Sequence, residues 1–236
     1  MKTLKDVGFG YKKDPVDTRD FSAKKLIFAE LPLPTSYRVN PNTIIYNQNG
    51  YPACVGFASA GVKTDQEFFQ HKLQYPFDGM WLYNECKKID GIPGEGGTYP
   101  RVALGILQKQ GIKQVRTFCK SAKPDSYWQI KGYYRIEPDS SIDLIKQIVY
   151  QYGSLLVGSV WYESWMNVRE YFNYPKNEKP SGGHAYRVSG WNKLGFIVVN
   201  SWGRQLWGID GVATILYDIF NQIVLPTGDA WKVIDN

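Results

Sequence analysis

The chain predicts an α+β fold of two lobes packed side by side. Three observations carry this. Helical periodicity is concentrated before Gly153, and strand-like apolar runs follow it. The 236 residues (27.0 kDa) are 43% hydrophobic and 21% charged, enough for a real core in one large domain or two small lobes. The 17 Tyr, 11 Phe and 8 Trp suit a β-rich chain or a cleft lined with flat side chains.

Each element follows in order. Residues 1–30 read as an irregular arm, with Asp14-Pro15-Val16-Asp17 and Thr18-Arg19-Asp20 as turn material. Leu31-Pro32-Leu33-Pro34 is extended, because proline is excluded from helix interiors. Gln48-Asn49-Gly50-Tyr51-Pro52 is a second turn cluster. A helix is expected over about 54–73, with Phe57, Val62, Phe68 and Phe69 at roughly helical spacing. Its small residues Gly56, Ala58, Ser59 and Ala60 let other backbone approach. From Tyr75 to Gly97 the pattern breaks into loop. Thr98 is expected to cap a helix reaching about Gln110, with Pro100 in its first turn and Gly111 as its stop. A third helix starts near Asp139 or Ser140 and ends at Gly153, burying Ile142, Ile145, Ile148, Val149 and Tyr152. Strands are expected at 155–161, 184–191, 195–200, 211–215 and 231–234, with a short helix around 164–171.

Composition removes several function classes. The net charge is +6, but the positive residues are dispersed in pairs such as Lys12-Lys13, Lys24-Lys25 and Lys87-Lys88. A nucleic-acid binder concentrates such charge in a stripe, so no nucleic-acid partner is expected. No apolar stretch approaches the roughly 18 residues of a membrane span, so no membrane partner is expected. Met1 to Lys13 has no apolar signal region, and three cysteines make no disulfide scaffold; a monomer in the cytoplasm is the expectation. No C-x-x-C or H-x-x-x-H spacing, no phosphate-binding glycine loop and no G-x-S-x-G elbow occur. Neither a metal nor a cofactor is expected.

Cys–His chemistry is the candidate that remains. His71 lies 17 positions after Cys54, about 25 Å away if one helix connects them, so it cannot serve that thiol. It reads as a solvated helix residue. His184 follows Ser181-Gly182-Gly183 and opens an apolar strand, at the lip of a sheet. Taken alone it reads as a structural histidine sooner than as a base. Cys54 sits in the first turn of a helix, where unpaired N–H groups and the helix dipole favour a thiolate. The competing reading is a buried packing cysteine. Cys86 and Cys119 sit at no clear helix start, and sequence does not show whether they pair.

Several segments together resemble the papain-like cysteine peptidases, in particular bacterial or phage-type members. Gln48 precedes Cys54 by six residues in Gln48-Asn49-Gly50-Tyr51-Pro52-Ala53-Cys54. Gly183-His184-Ala185 and Asn200-Ser201-Trp202-Gly203, followed by Trp207-Gly208 and Gly211, come in the family's order. Leu33 to Arg38 is similar to the start of the mature enzymes, and Glu95-Gly96-Gly97 to the glycines lining their cleft. The resemblance implies a helical lobe and a β-barrel-like lobe with the active site in the cleft between. It implies a peptidase domain over 31–236, with the helical lobe at about 40–135 and the β lobe at about 136–236. Residues 1–30 are too short for the family's long propeptide, but long enough for a plug.

The roles implied are endopeptidase roles. Cys54 would be the nucleophile, paired as thiolate with the His184 imidazolium, and Asn200 would orient the ring. Gln48 would donate to the oxyanion. Gly96, Gly97, Gly183 and Trp202 would contact a peptide or protein substrate. Val55-Gly56, Pro52-Ala53 and Tyr51 depart from the family pattern, the last removing a disulfide cysteine. Gly183 stands where some members carry an acid, so no partner for a basic substrate side chain is visible there. Other classes remain: a non-catalytic peptide-binding relative, or a Cys–His amidase or transpeptidase acting on cell-wall or other peptides.

Overall fold

Alternation along the central strands puts a hydrophobic core on each face of one sheet. In the computed structural model, which describes residues 7–115 and 127–235, Leu155, Val157 and Ala230 join one core. Their neighbours Leu156, Trp231 and Val233 join the other. A strand buried on both faces reads as a continuous apolar run, which is why 155–161 is legible as a strand.

The strands are β1 (Tyr37–Arg38), β2 (Ile112–Lys113), β3 (Tyr127–Trp128), β4 (Gly132–Ile136), β5 (Leu155–Trp161), β6 (Gly182–Trp191), β7 (Gly195–Val199), β8 (Val212–Leu216) and β9 (Asp229–Ile234). The main sheet runs β4-β9-β5-β6-β7-β8, antiparallel throughout, with β1 added to β6. β2 and β3 form a separate ladder. The sheet stays open, so the barrel-like closure expected of the β lobe does not occur. Its edges find other partners: the Arg135 N–H of β4 bonds the Phe21 carbonyl at 2.7 Å, and Thr214 of β8 exchanges bonds with Glu170 and Phe172. Satisfied edges have no need to meet each other.

The helices are α1 (Cys54–His71), α2 (Gly79–Lys87), α3 (Pro100–Lys109) and α4 (Ile142–Tyr152). α1 is surrounded on most sides. Its glycines pay in helix propensity for close approach: a Cβ on Gly56 would lie 2.3 Å from the Gly79 carbonyl of α2. α2 was not expected. Asp78 caps it, accepting the Trp81 N–H at 2.9 Å, but at nine residues it is too short to show a clear stripe. α3 begins after Tyr99, not at Thr98, because the Thr98 backbone is committed elsewhere. Ser141 caps α4 and Gly153 ends it. The expected helix near 164–171 is a 3-10 turn, Glu163–Asn167. A helical segment over 217–227 with a π-turn at Phe220–Val224 was not foreseen. No helix among the described residues is long and apolar enough to cross a membrane.

Buried charge fastens α1 to the sheet. Asp65 of α1 accepts hydroxyls from Thr43 and Ser154 and faces the Arg187 guanidinium of β6 at 3.4 Å. Lys63 pairs with Glu67 at 2.6 Å and with Asp235. The Lys232 ammonium of β9 donates to the Gln66 side chain at 2.9 Å and the Ser154 carbonyl at 3.0 Å. These bonds fix how the start of α1 faces the start of β6, which is where the chemistry lies.

Candidate active site

Cys54 is the first residue of α1 and is completely buried. The backbone N–H groups of Ala185 of β6 and Gly10 of the arm lie near enough to its sulfur to favour the ionised thiol. Ala185 directly follows His184 on that strand. His184 is also fully buried. Its Nε2 donates to Asn200 Oδ1 at 2.8 Å, and that oxygen also accepts the Ser201 N–H at 2.7 Å. The two bonds together orient the amide and assign the ring proton to Nε2. Nδ1 then carries the free lone pair, and it has no hydrogen-bond partner among the described residues. A base with one nitrogen held and the other open is the arrangement a thiol nucleophile needs.

Trp202 lies tilted against the imidazole with ring centroids 4.6 Å apart, and Trp161 meets it edge-on at 4.8 Å. The two rings keep water from the His184–Asn200 bond. Trp161 lacked any functional signal in the sequence beyond being a large aromatic at a strand end. Gln48 is anchored through its backbone N–H to the Ser201 carbonyl (2.8 Å), and its Oε1 accepts the Ser201 hydroxyl (2.7 Å). Its Nε2 donates to the carbonyls of Gly8 (2.6 Å) and Tyr51 (2.7 Å). A peptide carbonyl therefore already sits on the donor expected to meet an oxyanion.

That carbonyl belongs to the arm. Residues 7–12 pass along the cleft with a single β-bridge, between Tyr11 and Thr98. Gly10 and Tyr11 donate to the Gly183 carbonyl at 3.2 and 3.1 Å; Thr98 donates to the Gly10 carbonyl at 2.8 Å, and Lys12 to the Thr98 carbonyl at 3.0 Å. Phe9 lies against Trp202 and His184. Thr98, missed by sequence reading, makes the pairing; Gly97, at φ +85°, makes room for it, since a Cβ there would lie 2.4 Å from the Gly10 carbonyl. Gly96 packs against Pro52 instead. The structure thus brings Cys54, His184, Asn200, Gln48, Gly97, Gly183 and Trp202 around one segment of the arm. His71 is exposed at the far end of α1. Cys86 is a buried free thiol of α2, and Cys119 lies outside the described residues.

Burial decides the protonation of the pair. Loss of water pushes the Cys54 thiol up to about 12, against the smaller effect of the N–H groups near its sulfur. The same burial lowers His184 to about 4, against its bond to Asn200. With the arm in place the pair is a neutral thiol and a neutral imidazole.

The fold has close counterparts among solved structures. Xylellain, a cysteine protease from Xylella fastidiosa, superposes with a TM-score of 0.79 at 22% identity, covering 100% of this chain and 99% of that one. Procathepsin B S9 from Trypanosoma congolense gives 0.75 at 20% identity, over 99% and 89% of the two chains. A Carica candamarcensis cysteine protease in complex with E-64 gives 0.67 at 20% identity, over 86% and 100%. The chain has the papain-like fold. No family model and no curated protein matches it.

Proposed function

We propose that the chain is a cysteine endopeptidase held latent by its own N-terminal arm. The observation that carries this is the extended peptide already lying across Cys54 and His184, with a carbonyl on Gln48 Nε2. A cleft that binds this chain's backbone by backbone pairing is fitted to bind another's.

When the arm leaves, water and substrate enter. The Cys54 thiol passes its proton to His184 Nδ1, and the thiolate attacks the scissile carbonyl. The oxyanion takes the Gln48 Nε2 donor now used by Gly8, together with the Cys54 backbone N–H. The Nδ1 proton goes to the leaving amine. Water, deprotonated by His184, then releases the acyl group. Asn200 keeps Nε2 protonated and the ring in plane throughout. The anionic thiolate is helped by its place at the start of α1.

The test is hydrolysis of fluorogenic peptides by the whole chain with the arm loosened by Gly10→Val, alone and combined with Cys54→Ala, His184→Ala or Asn200→Ala. The Cys54 and His184 combinations should lose all turnover while keeping the melting temperature of Gly10→Val alone, and the Asn200 combination should keep a weaker rate. Turnover by Cys54→Ala on the same peptides would overturn the assignment.

A further inference from the structure

The arm carries one side chain into the wall of the cleft. Tyr11 is 7% exposed, and its ring fills a slot in the sheet beside the catalytic pair. The slot exists because two residues lack side chains. A Cβ on Gly158 would lie 2.2 Å from the ring, and one on Gly183 would lie 2.9 Å from it. At the far end the Tyr11 hydroxyl donates to Asp229 Oδ2 at 2.6 Å. The other carboxylate oxygen is held by Arg135 at 2.6 Å. The Asp229 side chain is fully buried.

Both donors to Oδ2 come from the arm: the Tyr11 hydroxyl and the Asp14 N–H at 2.7 Å. Withdrawal of the arm strips that oxygen of both and leaves it at the end of an empty flat slot. Arg135 is shared with Asp20 of the arm at 3.2 Å while the arm is seated; once the arm withdraws it is left to balance Asp229, so the slot calls for a neutral donor and has no need of a second cation. A phenol meets both demands, with a flat ring for the two glycines and a hydroxyl for the carboxylate.

We infer that this slot selects the substrate, taking a tyrosine side chain of the incoming peptide, with Asp229 as the specificity-determining residue. The inference rests on the peptidase reading above. Phenylalanine fits the same space but leaves Oδ2 without a donor. Sites built to bond a hydroxyl reject its absence strongly, so a preference of about tenfold or more for Tyr over Phe follows. Arm and substrate then compete for one slot, the arm's tyrosine standing in for the substrate's.

The test uses the full chain with Tyr11→Ala, which empties the slot, in a background of Gly10→Val, which loosens the rest of the arm. Two readouts are taken: the melting temperature with 4-methylphenol or toluene, and kcat/KM on peptides that differ only in one Tyr, Phe, Leu or Arg. We expect 4-methylphenol to stabilise Tyr11→Ala but not the wild type, and more than toluene does. The Tyr peptide should be cleaved at least about tenfold faster than the others. Adding Asp229→Ala should level Tyr and Phe. Adding Gly158→Ala, which leaves the Asp229–Arg135 pair intact, should abolish phenol binding even if the Asp229 variant fails to fold. Equal cleavage of Tyr and Phe peptides, or equal binding of toluene, overturns the inference and leaves the peptidase reading standing. Phenol binding that depends on Gly158 and Asp229, with no cleavage of any peptide, upholds the slot and overturns the peptidase.

Discussion

At the scale of single residues, seating the arm moves protons in two opposite directions. His184 is lowered to about 4 by burial. Its neutral form favours the seated arm above the ordinary pKa of about 6.5, and that contribution is lost as pH falls through about 4. Asp14 behaves the other way. Burial first, then the nearby Asp229 carboxylate, raise it to about 7, against the pull of Arg101 and Arg135. Its protonated form favours the seated arm at low pH, and that contribution is lost as pH rises through about 7. Between about pH 4 and 6.5 opening releases one proton from Asp14 and takes up one on His184. The arm should therefore open to nearly the same extent across this window. Asp14→Asn removes one side of the balance, and opening should then increase as pH falls below about 6.5. Anisotropy of a dye at the N-terminus reads both; a wild-type arm that opens steeply on acidification would contradict the balance. With only two histidines in the chain, proton NMR gives a second check: the buried His184 ring should titrate near pH 4.

At the scale of elements, the arm is fitted by contact and can be displaced by contact. A Cβ on Gly10 would lie 1.9 Å from the Pro52 carbonyl. Gly10→Val should disfavour seating by about 1–3 kcal/mol, roughly a 5- to 150-fold gain in open arm. Alkylation of Cys54, followed by intact mass, should accelerate by a similar factor; an unchanged rate would mean the arm is no barrier. The same segment shows what the sequence could and could not reveal. That Cys54, His184, Asn200 and Gln48 would gather at one cleft was legible through the motifs resembling the papain-like peptidases; composition alone left Cys54 and His184 open. Strands β5 to β9 were legible as buried apolar runs, whereas β1 to β4, short or only half-buried, were not. α2 and the open sheet were not, since a short capped helix and a satisfied edge depend on partners distant in sequence. Nor could Thr98 be read correctly: its neighbours look like a helix start, and only the arm across the cleft explains why its backbone pairs outward. Tyr11 looked like one tyrosine among 17 until Asp229, 218 positions away, gave its hydroxyl a purpose.

At the scale of the whole molecule, the two cores are joined by buried charge. Asp65 answers Arg187, Thr43 and Ser154 at once, binding α1 to the sheet that carries His184. Asp65→Ala leaves the Arg187 guanidinium buried without its counter-charge, a loss of about 3–5 kcal/mol. Urea unfolding should show it, together with a loss of activity even though Asp65 touches no substrate. A change below about 1 kcal/mol would mean that the surrounding hydroxyls and carbonyls hold Arg187 unaided.

The arm across the cleft has a chemical consequence as well as a steric one. A sulfur nucleophile is exposed to loss by peroxide, which attacks the thiolate and converts it stepwise to acids that no longer react. Here the thiol keeps its proton and meets no solvent. Under the function proposed, the residues that keep a peptide out would also keep an oxidant out, and the latent chain would be a preserved one. Its working life would start to run down only when the arm lets go.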